Sequence, residues 1–200
     1  MNKFLNLFKK KKGSIILVSG LPRSGTSLMM KMLEAGGIPP LTDNIRSADQ
    51  DNPKGYYEFE RAKKLREGDE AWLPEAEGKA VKIISALLEH LPGTHDYKVL
   101  FMRRAMPEIL ASQKKMLVNR GEDPEKVDDE EMAALFEKHL QKIITWLDSN
   151  ANFEVLYVNY NELLTDPEPW VEKIIAFLDR PLEAGAMAAV IDPKLYRQRA

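Results

Sequence analysis

Short apolar runs alternate with longer amphipathic segments along most of this chain. Four runs rich in β-branched residues predict buried strands over 14–19, 80–85, 98–102 and 153–158. Strands that alternate with helices indicate an α/β fold, in which helices flank a parallel sheet. Apolar residues at helical spacing predict helices over 28–35, 60–70, 106–118, 130–147, 169–178 and 184–191. The clearest of these is 130–147, for which Asp128 or Asp129 can serve as the N-terminal cap.

Chain length and charge narrow the class of protein. With 200 residues, 44% of them apolar, the chain fits one domain over 13–200 with a core of ordinary size. Its 29 Lys and Arg residues are balanced by 31 Asp and Glu residues, so no overall charge attracts nucleic acid. The absence of cysteine excludes a disulfide framework, a thiolate metal site and a cysteine nucleophile, and we expect a cytoplasmic protein.

The first twelve residues differ from the rest of the chain. An apolar cluster over 4–8 precedes a basic run over 9–12. A secretory signal has the opposite order, and no apolar run reaches the roughly 20 residues of a membrane span. We expect 1–12 to be a disordered, solvated lead-in, and weak contact with a membrane surface is the alternative.

A glycine-bounded loop follows the first predicted strand directly. It reads GLPRSGTS over 20–27 and runs into the first predicted helix. Glycines let backbone N–H groups turn inward, and the helix start adds partial positive charge, so this context predicts a phosphate-binding loop in a three-layer fold of the P-loop type. The candidate binding residues are Pro22, Arg23, Ser24, Gly25, Thr26 and Ser27.

One position separates this loop from that of a nucleoside triphosphatase. Thr26 follows Gly25, where such an enzyme has the lysine that contacts the β- and γ-phosphates. The strand over 98–102 leads into Arg103 and Arg104, so it does not end in an aspartate that could hold Mg²⁺. The loop therefore favours an anion, with Arg23 as its cation, but disfavours a triphosphate with magnesium. We predict no metal site.

A second group of anion-binding residues follows the strand over 98–102. Arg104 stands after the strand end, and Ser112 lies eight residues later on the next predicted helix. Arginine offers a planar charged fork to phosphate oxygens, and a helical serine hydroxyl reaches the same oxygens. We assign Arg104 and Ser112 by spacing. Arg103 is the alternative, because adjacent residues of a strand point to opposite sides.

Both anion elements resemble those of the sulfotransferases, which use 3′-phosphoadenosine 5′-phosphosulfate (PAPS) as sulfuryl donor. The stretch 22–27 looks like the family's 5′-phosphosulfate loop, and Arg104 with Ser112 looks like its 3′-phosphate element. Further similar segments, 52–58, 155–166 and 171–178, extend the resemblance over 15–178. The family's C-terminal Arg-Lys-Gly segment is not recognisable, and the stretch 196–199 (YRQR) is a weak substitute.

The resemblance implies catalytic residues, with one gap. Arg23 would contact the sulfonyl and bridging oxygens, and Lys82 aligns with a lysine that many members use at the leaving oxygen. The small-molecule enzymes have a catalytic histidine two residues after that lysine, but this chain has Ile84 there. Because other members use a glutamate, Glu58 is our first choice of general base and Asp43 our second.

The three histidines of the chain, and the aromatic residues near these segments, are interpreted without a catalytic role. His90, His95 and His139 fit no catalytic motif, so we interpret them as structural. Trp72 and Tyr57, together with Tyr56, are expected to line the acceptor pocket, with a place at the edge of the core as the alternative for Trp72.

The resemblance predicts a PAPS-dependent sulfotransferase that needs no metal ion. Its acceptor would be a hydroxyl or amine of a small molecule, a carbohydrate or a peptide, and no nucleic acid is involved. Two alternatives remain: a P-loop kinase of nucleotides or nucleosides, and a nucleotide-binding protein without catalysis.

Overall fold

The computed structural model of the protein describes residues 13–43, 57–124 and 128–191. The predicted lead-in 1–12, residues 52–56 of the segment 52–58, Tyr56 among them, and the stretch 196–199 lie outside these ranges. No helix within the described ranges has both the length and the apolar character needed to cross a bilayer.

The four predicted strands form one parallel sheet. They are β1 (Ile15–Gly20), β2 (Ala80–Lys82), β3 (Tyr97–Arg103) and β4 (Phe153–Asn159), in the order β2-β1-β3-β4. Every residue of β1 is buried, because this strand has a neighbour on each side and helices or turns over both faces. The sheet and its flanking helices confirm the predicted α/β fold class.

Seven α-helices accompany the strands in the described ranges: α1 (Thr26–Ala35), α2 (Glu60–Lys63), α3 (Met106–Asn119), α4 (Asp129–Asp148), α5 (Tyr160–Thr165), α6 (Pro167–Leu178) and α7 (Ala184–Ala189). Asp128 is the cap of α4, since its side chain accepts a hydrogen bond from the Glu130 amide. The predicted helix 60–70 is only the single turn α2, followed by a 3₁₀ turn over Lys64–Glu67. Helix α5 was not predicted; the Asn159 side chain caps its first amides.

Two hydrophobic clusters hold the layers together. On the first face of the sheet, α4 and the segment 59–91 pack on alternate residues of β1 and β3, including Leu17 and Phe101. On the second face, α1, α6 and α7 pack on the intervening residues, including Val18 and Leu100. Trp72 is 1% exposed within the first cluster, so it belongs to the core, which is the alternative that the sequence offered.

The order of the strands creates a crevice at their carboxyl ends. Strand β1 continues into α1 on the second face, whereas its neighbour β3 leads through α3 to α4 on the first face. Adjacent parallel strands whose connections leave toward opposite faces open a crevice between them, and ligands of such folds bind there. The loop 20–25 and residues 104–112 follow these two strands, so both predicted anion elements lie at this crevice.

Candidate active site

Two glycines shape the loop between β1 and α1. Gly20 has a φ of 144°, and a Cβ atom there would lie 2.7 Å from the Met102 carbonyl oxygen. Gly25 has a φ of 102°, and a Cβ atom there would lie 2.3 Å from the Tyr160 ring. The loop therefore packs so closely on β3 and on the start of α5 that neither position accepts a side chain.

Internal hydrogen bonds hold the turn between these glycines. The Ser24 amide and hydroxyl both donate to the Leu21 carbonyl, at 3.3 and 2.7 Å. Ser24 is buried, so its side chain shapes the loop, while Pro22 is exposed and has no N–H to donate. Thr26 and Ser27 form the first turn of α1 and are half-buried.

Arg23 connects the two predicted anion elements. Its backbone is left-handed, with a φ of 68°, a conformation that costs a residue other than glycine about 1–2 kcal/mol. Its Nε donates to the Ser112 Oγ at 2.9 Å, across 89 residues of sequence. Because this oxygen accepts from Arg23, the hydroxyl proton of Ser112 points away from Arg23.

Arg104 is the strand-end arginine that contacts the loop. Its Nη1 donates to the Arg23 carbonyl at 3.0 Å, its Nε donates to Glu108 at 2.8 Å, and its guanidinium lies 4.7 Å from the centre of the Tyr160 ring. The Arg104 side chain is 8% exposed, whereas Arg103 is exposed. Of the two arginines that the sequence left open, Arg104 is the one beside Arg23.

Lys82 lies on the other side of β1 from Arg104. It is the last residue of β2, pairs in register with Val18, and is half-buried on the face that carries α1. The predicted strand 80–85 is therefore too long: Ile84 lies beyond the hydrogen-bonded ladder, 47% exposed, and a 3₁₀ turn begins at Ser85. The position two residues after Lys82, where the resemblance implied a possible histidine, thus exposes an aliphatic side chain.

The two candidate bases lie along the outer edge of β2. The Leu41 amide donates to the Ala80 carbonyl at 2.8 Å, which places the segment 41–43 beside this strand. Asp43 accepts a hydrogen bond from the Glu60 amide at 2.6 Å, at the start of α2. Glu58 forms an ion pair with Lys63 at 2.7 Å, and its side chain is 14% exposed. Both carboxylates therefore have protein partners at this edge.

Tyr57 packs on α1. Its hydroxyl donates to Glu34 at 2.5 Å, and its side chain contacts the cluster on the second face. Burial, together with the bond to the Glu34 carboxylate, raises the pKa of the Tyr57 phenol above its usual value. The expected place of Tyr57 in an acceptor pocket stays a prediction.

His139 joins α4 to the 3₁₀ turn that follows β2. Its Nε2 and the Ser85 Oγ lie 2.8 Å apart, and Ser85 is 1% exposed. Burial lowers the pKa of the His139 imidazole, the Lys142 ammonium adds to this effect, and the Glu89 carboxylate opposes it. His139 is therefore a neutral hydrogen-bonding group at neutral pH.

A cavity of about 430 Å³ lies between α3 and the start of α4. Leu110, Leu117 and Met132 are among its lining residues. Leu117 follows Ser112 by five positions, about 140° around the helix, so the cavity lies on the other side of α3 from the Arg23 contact.

The described ranges contain no group of three His, Asp or Glu residues placed to hold a metal ion.

Sequence reasoning missed three residues that surround Arg104: Glu108, Tyr160 and Asn161. Glu108 follows Arg104 by four residues on α3, which is the spacing of a helical ion pair, so the sequence did contain that signal. Tyr160 and Asn161 are the first residues of α5, and only the folding of the chain brings them close to Arg104 and Glu108.

Comparisons with known proteins identify a family and two solved structures of similar fold. The sulfotransferase domain family matches residues 14–194. The solved structure of a sulfotransferase domain from the curacin biosynthetic pathway is 16% identical, with a TM-score of 0.51, over 93% of this chain and 87% of that one. Mouse sulfotransferase SULT7A1, complexed with PAP, is 19% identical, with a TM-score of 0.50, over 90% of this chain and 63% of that one. The comparison with curated proteins gives no match.

The fold is a parallel α/β fold of the P-loop type, and the loop 20–25 lies at its crevice beside β1. The family match covers nearly all of the described chain, and the protein belongs to the sulfotransferase domain family. The resemblance inferred from the two anion elements is thereby confirmed.

The His139 contact generates a prediction about stability and pH. Because the folded state lowers the pKa of this imidazole, the unfolded chain binds a proton first as the pH falls below about 6.5. The free energy of unfolding therefore decreases as the pH falls from neutral to 5. His139→Gln should show a smaller loss, as measured by denaturant unfolding at pH 7.5 and pH 5.5. His90→Gln is the matched control, and equal losses in the wild type and His139→Gln would contradict the assignment.

Proposed function

We propose that the protein transfers a sulfuryl group from PAPS to a hydroxyl or amine of an acceptor. The observation that carries this proposal is the hydrogen bond between Arg23 and Ser112, because it joins the loop and the β3–α3 element in one crevice. PAPS carries anionic groups at its 5′ and 3′ positions, and two adjoining anion elements match that distribution. A small molecule, a carbohydrate or a peptide is the acceptor class, and a cytoplasmic setting accords with the lack of cysteine.

Different residues bind the two anionic parts of the donor. Amides and hydroxyls of the stretch 22–27 bind the 5′-phosphosulfate, while Arg104 and Ser112 bind the 3′-phosphate. In the reaction, the acceptor oxygen or nitrogen bonds to sulfur while the bond from sulfur to the 5′-phosphate oxygen breaks. Charge grows on that leaving oxygen, where Arg23 and Lys82 stabilise it, so the proposed step requires no metal.

The acceptor must lose a proton as it bonds to sulfur. A carboxylate within hydrogen-bond reach takes that proton, and Glu58 stays our first choice with Asp43 as the second. Support for both comes from the edge of β2, the strand that ends at Lys82, where their segments lie. Each has a protein partner, Lys63 for Glu58 and the Glu60 amide for Asp43, so the base must loosen a bond when the acceptor arrives.

Binding of nucleotides tests the proposal against a kinase. Isothermal titration calorimetry should show that 3′,5′-adenosine bisphosphate binds at least tenfold more tightly than ATP with Mg²⁺, because Thr26 replaces the lysine of a triphosphate loop. Adenosine 5′-monophosphate is the control for the 3′-phosphate and should bind more weakly than the bisphosphate. Tighter binding of ATP with Mg²⁺ would overturn the proposal.

Lys82 should contribute to turnover more than to binding of the spent donor. We expect Lys82→Ala to leave bisphosphate affinity within a few-fold and to slow PAPS cleavage by about 10²–10³, because the ammonium acts on charge that develops in the transition state. Cleavage of PAPS by water, followed as release of the bisphosphate, reports this step without an identified acceptor.

The matched control for this variant is Lys79→Ala. It removes a lysine from the same segment, where Lys79 forms a surface ion pair with Glu75 at 3.3 Å. Lys79→Ala should leave the rate unchanged. An unchanged rate in Lys82→Ala would show that another group stabilises the leaving oxygen, and a catalytically inert wild type that binds the bisphosphate would favour a non-catalytic nucleotide-binding protein.

A further inference from the structure

A buried carboxylate lies beneath the crevice and has no part in the proposed chemistry. Glu108 is 3% exposed. One of its oxygens accepts from the Arg104 Nε at 2.8 Å, and the other accepts from the Asn161 Nδ2 at 2.7 Å. The Asn161 amide oxygen in turn accepts from the Ala105 backbone N–H at 3.3 Å. Helix α3, the turn after β3 and the start of α5 are thus joined by one polar network.

This network contributes little net stability to the fold, because desolvation of its charges offsets their attraction. Removal of two charges from water costs several kcal/mol per ion, and a buried ion pair often contributes no more than an apolar contact of the same size. Glu108 and Arg104 are 3% and 8% exposed, so both charges bear much of that cost. What the pair provides is a defined direction for the Arg104 guanidinium, which also lies over the Tyr160 ring.

The direction of Arg104 determines the direction of one peptide group in the loop. Its Nη1 donates to the Arg23 carbonyl at 3.0 Å, and the N–H of the same peptide, that of Ser24, donates to the Leu21 carbonyl at 3.3 Å. A peptide turned by half a revolution would break both bonds and reverse its dipole. Arg23 is also left-handed, so the loop keeps this conformation only where its surroundings stabilise it.

We propose that Glu108 and Asn161 are positioning residues for the donor. They orient Arg104, Arg104 holds the Arg23–Ser24 peptide, and that peptide sets the loop for the donor's 5′-phosphosulfate. The expected effect on donor affinity rests on the proposed function. The expected effect on the conformation of the loop does not.

An exchange of amide and carboxylate tests the network. In Glu108→Gln, the new NH₂ group faces another donor, either the NH₂ group of Asn161 or the Arg104 Nε, and in Asn161→Asp, two carboxylates face each other. In the double variant, the amide of residue 108 donates to the carboxylate of residue 161, and the bonds from Arg104 and from the Ala105 amide are kept. We expect each single variant to weaken binding of 3′,5′-adenosine bisphosphate by about 10–100-fold, and the double variant to recover to within about threefold of the wild type.

Hydrogen exchange of the Ser24 amide provides a readout that needs no ligand. We expect faster exchange in each single variant and wild-type exchange in the double variant, because an Arg104 side chain that is not oriented no longer bonds the carbonyl of the Arg23–Ser24 peptide. Asn161→Ala is a milder second variant should Glu108→Gln fail to fold; it should also speed exchange of the Ser24 amide.

The outcomes separate this inference from the proposed function. Wild-type affinity and wild-type Ser24 exchange in the single variants, even with a lowered Tm, would reduce Glu108 and Asn161 to structural residues and overturn the inference. No recovery in the double variant would overturn it too, because the charge at position 108 and not the hydrogen-bond geometry would then matter. If the wild type does not bind the bisphosphate, the proposed function fails, and the exchange of the Ser24 amide still decides the inference.

Discussion

The crevice at the carboxyl ends of β1 and β3 is built around one guanidinium, that of Arg104. On its inner side this group is bound by the Glu108 carboxylate and covered by the Tyr160 ring, and on its outer side it donates to the Arg23 carbonyl. Three parts of the chain that are far apart in sequence meet there: the loop after β1, the start of α3 and the start of α5. Because Gly25 packs on the same Tyr160 ring, the loop has little freedom to take another shape.

The chain has a net charge of −2, yet three of its cations lie close to one end of the sheet. The fold concentrates cations at the carboxyl ends of the strands: Lys82 ends β2, Arg23 follows β1 and Arg104 follows β3. The acidic side chain of Glu108 near these ends is paired with Arg104, so local arrangement and not overall charge decides which ligand the crevice favours.

The sequence predicted what is local and missed what the fold assembles. The strands, the loop and the spacing from Arg104 to Ser112 are contiguous patterns, so the fold class and the positions of these two elements at one crevice could be predicted, while their binding of anions stays a prediction. The strand over 80–85 was drawn too long because apolar composition continues to Ile84, whereas the ladder ends with the bond from the Ile83 amide to the Val18 carbonyl and a 3₁₀ turn begins at Ser85. Asn161 lies 53 residues from Glu108, and no pattern in the sequence signals that contact.

A crystal structure of the complex with 3′,5′-adenosine bisphosphate tests the central claim most directly. The account predicts the 5′-phosphate at about 2.7–3.2 Å from amides or hydroxyls of the stretch 22–27, with the 3′-phosphate against Arg104 and Ser112. It also predicts that the Arg23–Ser24 peptide keeps its direction. Binding of the nucleotide in the cavity between α3 and α4, beside Leu117 and Met132, would contradict the account.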